Sequence, residues 1–283
     1  METSIKIAQP LHQQLGPNLT INAPIPTRQI PNVDPFLLLH HFGPIEVRSK
    51  QDFLVPPHPH KGFEAVTFLF SGSIEHKDSL GNSGVLHSGD IQWMTAGNGI
   101  EHQEGYPYED QLQNLEGIQL WVNLPASSKR EAPRYQDIQS KDIPEVVEGN
   151  STFRIFAGSF EGKTAPTKTV TDLTALYGKT KQGFKRVFDI PVGYNAIIYT
   201  LHGNVEVHVG ESFSASEGSA VVINNIHKPV EIETTADSQF VLLYGKPINE
   251  PIASYGPFVM NYQEEINIAI REYRSGAWGS VAQ

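Results

Sequence analysis

Residues 58–104 read HPHKGFEAVTFLFSGSIEHKDSLGNSGVLHSGDIQWMTAGNGIEHQE, a series of short β-type runs divided by glycine turns, with His-Pro-His at one end and His-Gln-Glu at the other. Residues 64–70 lead into the tight turn Ser71-Gly72, and residues 73–78 return as the second strand of a hairpin. Further turns follow at 80–84, 88–90 and 96–99. Six or more short strands within about seventy residues leave no room for crossover helices, so the sheet is expected to be antiparallel and closed. Residues i and i+2 of a strand share a face, which pairs His58 with His60 and His102 with Glu104. Brought face to face, the two pairs give three imidazoles and one carboxylate, a set that suits a divalent first-row transition metal and leaves coordination positions open to substrate or dioxygen.

The rest of the chain agrees with an all-β fold. Its 283 residues bound one large or two medium domains, and 24 Gly and 20 Pro spread along it imply many turns. A formal net charge of -10 argues against a partner recognised through its phosphate backbone, so no direct nucleic-acid contact is expected. With no cysteine present, a metal must be held by His, Asp or Glu. The amino terminus METSIKIAQPLHQQLG lacks a basic region followed by an apolar core, and no apolar run approaches the roughly 18 residues that span a bilayer, so a cytoplasmic protein without a membrane partner is expected.

Residues 1–30 read as an edge strand or a surface arm. Residues 36–42 are short and apolar between turn formers and read as a buried strand. Within them His40 and His41 point to opposite faces as structural side chains. His76 and His87 are placed on the surface. Residues 136–150, within a stretch rich in Pro, Ser and charge, are read as a linker between domains at 1–135 and 151–283. Near the end, Asn261 and Glu264 offer a helix cap, Ile266, Ile270 and Tyr273 an apolar face, and Gly276 a stop.

Residues 197–223, IIYTLHGNVEVHVGESFSASEGSAVVI, look like a second copy of 66–94, with Gly72 matching Gly203 and Gly89 matching Gly218 at nearly the same offset. In that alignment His58, His60, Glu64, His102 and Glu104 fall on Asp189, Pro191, Asn195, Glu231 and Glu233. The copy keeps the scaffold and drops the ligands. Even parity continued beyond His60 assigns Glu64 to orienting a ligand imidazole and Val66, Phe68 and Phe70 to lining a dry cavity.

The stretches HPHKGFEAVTFLFSGSIEHKDSLGNSG, GDIQWMTAGNGIEHQE and YGPFVMNYQEEI resemble the pirin family of the cupin superfamily, over residues 34–276. The resemblance implies two tandem cupin barrels of jelly-roll type with a C-terminal helix. It places iron(II) on His58, His60, His102 and Glu104, with Zn, Ni, Cu, Mn or Co as alternatives. It also implies an activity like that of quercetin 2,3-dioxygenases, cleavage of a small aromatic flavonol by O2 with release of carbon monoxide and Glu104 as catalytic base. Its alternative is a non-enzymatic, redox-sensitive iron regulator that binds a protein partner. Two departures stand out: Thr95-Ala96-Gly97 replaces the general cupin Pro-x-Gly turn, and His40-His41 stands where an acidic residue is expected.

Overall fold

The computed structural model describes residues 2–15 and 19–281. Apart from the helix Gln263–Arg274 and a single turn of 3-10 helix at Ser140–Asp142, the regular elements among the described residues are β-strands. None of their helices is long and apolar enough to cross a membrane.

The chain forms two cupin units. One comprises His12–Ile21, Leu38–Ser140 and Ile248–Gln283; the other comprises Met1–Leu11, Asn22–Leu37 and Lys141–Pro247. The simple division expected at residues 135 and 151 is thereby corrected at both chain ends. Ser4–Ala8 pairs with Ala220–Asn224, as an edge strand should, and so belongs with the later residues. The terminal helix buries Ile266 and Ala269 among Phe258, Met260 and Trp278, within the unit that carries residues 38–140. The junction between the units falls between Ser140 and Lys141, inside residues 136–150, but strands occupy both ends of that stretch. Arg134–Ile138 pairs with Ile91–Thr95, and Glu145–Glu148 pairs with Ser151–Ala157. Both are the outermost strands of their sheets, where polar and charged side chains are the rule, and that explains the linker-like composition.

One seven-stranded sheet runs in the order Arg134–Ile138, Ile91–Thr95, Phe63–Ser71, Gln113–Asn123, Phe36–Val47, Thr20–Ile25, His12–Gln14. A four-stranded sheet runs Leu54–His60, Ile100–Gly105, Ser73–Asp78, Ser83–His87. The second unit repeats the plan, with Lys185–Phe188, Val230–Thr234, Asn204–His208 and Ser212–Ser216 as its four-stranded sheet. The duplicated turns match closely, with φ of 84° at both Gly72 and Gly203. The second barrel's interior is apolar, with Phe153 packed against Phe160, Phe184, Phe188 and Phe240 at centroid separations of 5.7, 5.4, 5.8 and 6.3 Å.

The helix begins one residue later than its sequence suggests. Tyr262 is the N-cap, and the Glu265 carboxylate accepts from the backbone N–H of both Asn261 and Tyr262 at 3.1 Å. The Asn261 side chain donates instead to Glu250 and to the Pro251 carbonyl, both at 3.0 Å. The loop leading into the helix needs these bonds, which moves the cap along by one.

Candidate metal centre

His58 and His60 project from one face of Leu54–His60, and His102 lies directly opposite His58 on Ile100–Gly105. The three rings meet with centroids 4.3 to 4.9 Å apart, and one ligating nitrogen from each lies within 4.8 Å of the others. His58 Nδ1 is 2.9 Å from the Pro56 carbonyl, which can only accept, so that nitrogen carries the proton and Nε2 keeps its lone pair. Neither ring nitrogen of His102 has a hydrogen-bond partner among the described residues, although both are buried. Burial, reinforced by the neighbouring imidazoles, holds His60 and His102 well below the usual histidine range. Both are thus neutral, the form that binds a metal. Buried, uncharged and unpartnered nitrogens converging on one point are the donor set a divalent transition ion requires.

Glu104 lies in the same cavity wall but outside the three-imidazole cluster. The pairing with Leu54–His60 slips between His102 and Glu104, which faces Val55, and this irregularity re-aims the side chain. Burial pushes its carboxyl upward, against the opposing pull of His58, His76 and a hydrogen bond from Gln119.

The expected lining of the cavity is corrected. Its wall on Phe63–Ser71 is Thr67; Glu64, Val66, Phe68 and Phe70 do not line it. Glu64 is fully buried and accepts from the Thr95 hydroxyl at 2.8 Å, with Trp93 as its other neighbour, so it orients no ligand imidazole. The cause is Gly62. At φ +87°, with an added Cβ only 2.0 Å from the Val259 carbonyl oxygen, it breaks the strand after Lys61 and resets the alternation by one residue. Phe63 therefore turns inward and meets His60 edge-on at 5.1 Å, as Trp121 does at 5.3 Å.

The resulting cavity is about 320 Å³. Leu15, Leu19 and Ile21, Leu38 and Phe42, Phe53, Val55 and Ile74, Trp121 and Pro257 form its apolar lining. His40, Thr67, Gln119 and Glu104 are its polar groups beside His58 and His60. The carboxy-terminal segment grips the residues next to the ligands. Lys61, just after His60, forms an ion pair with Glu272 at 3.0 Å and lies 5.2 Å above the Trp278 ring. Glu101, just before His102, accepts from Tyr273 Oη at 2.8 Å and from the Val281 N–H at 2.9 Å.

Comparison with known proteins bears on this arrangement. The Pirin profile matches residues 18–122, and the Pirin C-terminal cupin domain profile matches residues 176–279. Pirin of Homo sapiens is 36% identical over 270 residues, covering 94% of this chain and 90% of the human protein. The chain belongs to the pirin family. A Pseudomonas aeruginosa relative, whose name gives it provisionally as a quercetin 2,3-dioxygenase, is 37% identical over 250 residues, covering 87% of this chain and 86% of its own. The crystal structure of a quercetin 2,3-dioxygenase from Acinetobacter baumannii superposes with a TM-score of 0.90 at 33% identity, covering 98% of each chain.

Several side chains of this pirin's centre are not apparent from its sequence pattern. His76 is buried rather than on the surface, directly opposite Glu104 in the strand pairing and stacked on Tyr135 at 5.3 Å. Gly84 makes room for it, because a Cβ there would lie 2.7 Å from His76 Nε2. Shared parity with Ile74, which lines the cavity, was the available signal. His87 is exposed, as expected. His40 lines the cavity, where burial lowers it to about 4, while His41 faces Glu116 at 3.1 Å on the other side of the strand. Gln119 and Trp121 alternate with apolar residues along Gln113–Asn123. They line the cavity, and the apolar residues Ile118, Leu120 and Val122 are fully buried on the opposite face.

Proposed function

We propose that this pirin is a metal-dependent dioxygenase that opens flavonols such as quercetin with O2 and releases carbon monoxide. The observation that carries this reading is a cluster of three imidazoles bordering a largely apolar cavity of about 320 Å³. Likeness to the Acinetobacter baumannii quercetin 2,3-dioxygenase, at 33% identity across 98% of the chain, supports it. In this reading His58, His60, His102 and Glu104 hold one divalent ion, iron(II). Such an ion, when bound, acidifies a substrate hydroxyl and orients dioxygen against the ring.

The chain's own groups do the rest. Phe42, Phe53 and Trp121 hold an aromatic ring and exclude water. Glu104, whose affinity for a proton burial raises, accepts in its ionised form the proton of the substrate hydroxyl. The flavonol itself supplies the electrons that reduce O2 and loses one carbon as carbon monoxide, so no external reductant is required.

The test is aerobic incubation of iron(II)-loaded protein with quercetin, followed by measurement of carbon monoxide. Release in step with quercetin loss is expected, and fully loaded protein that gives none sinks the reading. Glu104→Ala is expected to keep the fold and lose turnover. A variant that still holds metal and runs at the wild-type rate would remove Glu104 from the base role.

A further inference from the structure

Successive side chains of a strand leave it on opposite faces. Lys61, just after His60, and Glu101, just before His102, therefore project away from the imidazoles. Both are buried, at 3% and 8% exposure. The groups that cover them come largely from one stretch of chain, residues 272–281. Lys61 Nζ meets the Glu272 carboxylate at 3.0 Å and lies 5.2 Å from the Trp278 ring centre. It also donates to the Asn98 side-chain oxygen at 2.9 Å, in the turn that leads into Ile100–Gly105. On that strand Glu101 turns both carboxylate oxygens to the same stretch, Oε2 accepting from Tyr273 Oη and Oε1 from the Val281 N–H. Trp278 is wedged between the two contacts. Its indole rests on Gly99, where an added Cβ would lie 2.3 Å from the ring, and it packs against Phe258 and Tyr273 with centroids 5.6 Å away in each case. Partners of this kind fix a buried ammonium and a buried carboxylate in place, because leaving either unpaired is costly.

We propose that Lys61 and Glu101 are positioning residues, through which residues 272–281 act as a clasp that sets the spacing of the two ligand-bearing strands from the face opposite the metal. The inference rests on reading His58, His60 and His102 as metal ligands. Imidazoles bind one ion tightly only when their supports hold the nitrogens at its distance, so a loosened strand pair lowers affinity without removing a ligand. The coupling is reciprocal: a docked clasp that tightens metal binding is itself held down by bound metal, by the same factor.

The test uses cobalt(II) alone, added to the whole chain as wild type and as Lys61→Met, Glu101→Ala and Trp278→Ala, with Phe153→Ala as a control in the second barrel. The three clasp variants are expected to weaken cobalt binding about tenfold and to shift the visible absorption bands of the bound ion, which report its ligand geometry. Phe153→Ala should change neither. In wild type, hydrogen exchange at the Val281 amide should slow about tenfold on loading. Cobalt binding within about twofold of wild type in any folded clasp variant, an equal loss in Phe153→Ala, or exchange at Val281 indifferent to the metal each overturn the clasp. Circular dichroism checks folding, and if no clasp variant folds the wild-type exchange result alone decides. Wild type that takes up no cobalt rejects the metal centre and the clasp with it. Intact cobalt binding and slowed exchange alongside failure of the carbon monoxide assay reject the proposed reaction and leave the clasp standing.

Discussion

The two barrels share a strand plan and glycine turns and differ in what fills them. The second packs Phe153, Phe160, Phe188 and Phe240 into an apolar interior, whereas the first places His58, His60 and His102 beside a cavity of about 320 Å³. The scaffold therefore does not need the site, since the same arrangement of strands closes over phenylalanine. Nor is the site a by-product of the scaffold. Imidazoles crowded together with buried, unpartnered nitrogens work against folding, and among the described residues such a cluster stands in the first barrel.

The largest expected effect breaks the comparison at its centre. His60→Ala or His102→Ala should weaken metal binding by more than about a hundredfold, read as metal content after dialysis, because loss of a ligand exceeds the loss from its supporting groups. His208→Ala, in the second barrel, should leave metal content unchanged; parallel losses in both barrels would end the distinction. Next comes the apolar interior. Phe153→Ala should lower stability by about 3 to 5 kcal/mol in urea unfolding while each folded molecule keeps its metal. A loss below about 1 kcal/mol would mean that the second barrel's core matters far less than its packing suggests.

A smaller effect is set by pH. Burial lowers His40 from 6.5 to about 4 and holds His60 and His102 well below 6.5. Each binds fewer protons folded than unfolded, so its contribution is present above about 6.5 and drains away as pH falls toward the folded value. Glu64 and Glu104, raised by burial from 4.5, work in the opposite sense, their contribution being lost as pH rises from 4.5 toward the folded value. The clean measurement is therefore a difference. Between pH 6.5 and 4, metal-free His40→Leu should lose stability less steeply than wild type by about 1.4 kcal/mol per pH unit. Parallel curves would show that His40 is not titrating in the folded state. Smallest is the tail contact, where Tyr273→Phe should cost about 1 kcal/mol. A slight weakening of metal binding should accompany it, since Glu101 adjoins His102 in the chain.

Much of the fold was legible because turn chemistry is local. Glycines at Gly72, Gly89, Gly203 and Gly218 announce the hairpins, and their spacing announces the duplication. His58, His60 and His102 were legible for a related reason, since i and i+2 share a face within an unbroken strand and the copy lacks all three. Legibility ended where alternation crossed Gly62. Its left-handed backbone set Phe63 against His60 and Thr67 in the cavity wall where Glu64 and Val66 were expected, and no composition rule signals such a reset. His76 was hidden differently. Its burial depends on space left by Gly84 from the adjacent strand, a contact that exists only once the strands are paired. The segment that pairs Ser4–Ala8 with Ala220–Asn224 was readable as an edge strand, but which sheet it joins is a property of the folded chain.

Gly62 carries one more consequence. The strands bearing the imidazoles lie in the four-stranded sheet, whereas Thr67, Gln119 and Trp121, which face the ligand space, lie in the seven-stranded sheet. Lys61 and Gly62 carry the chain from His60 in one sheet to Phe63 in the other, Gly62 through a backbone that side chains rarely adopt. Substitutions drifting through the seven-stranded wall can retune what the protein accepts while the imidazoles are inherited intact, so one lineage can explore many ligands on one inorganic centre.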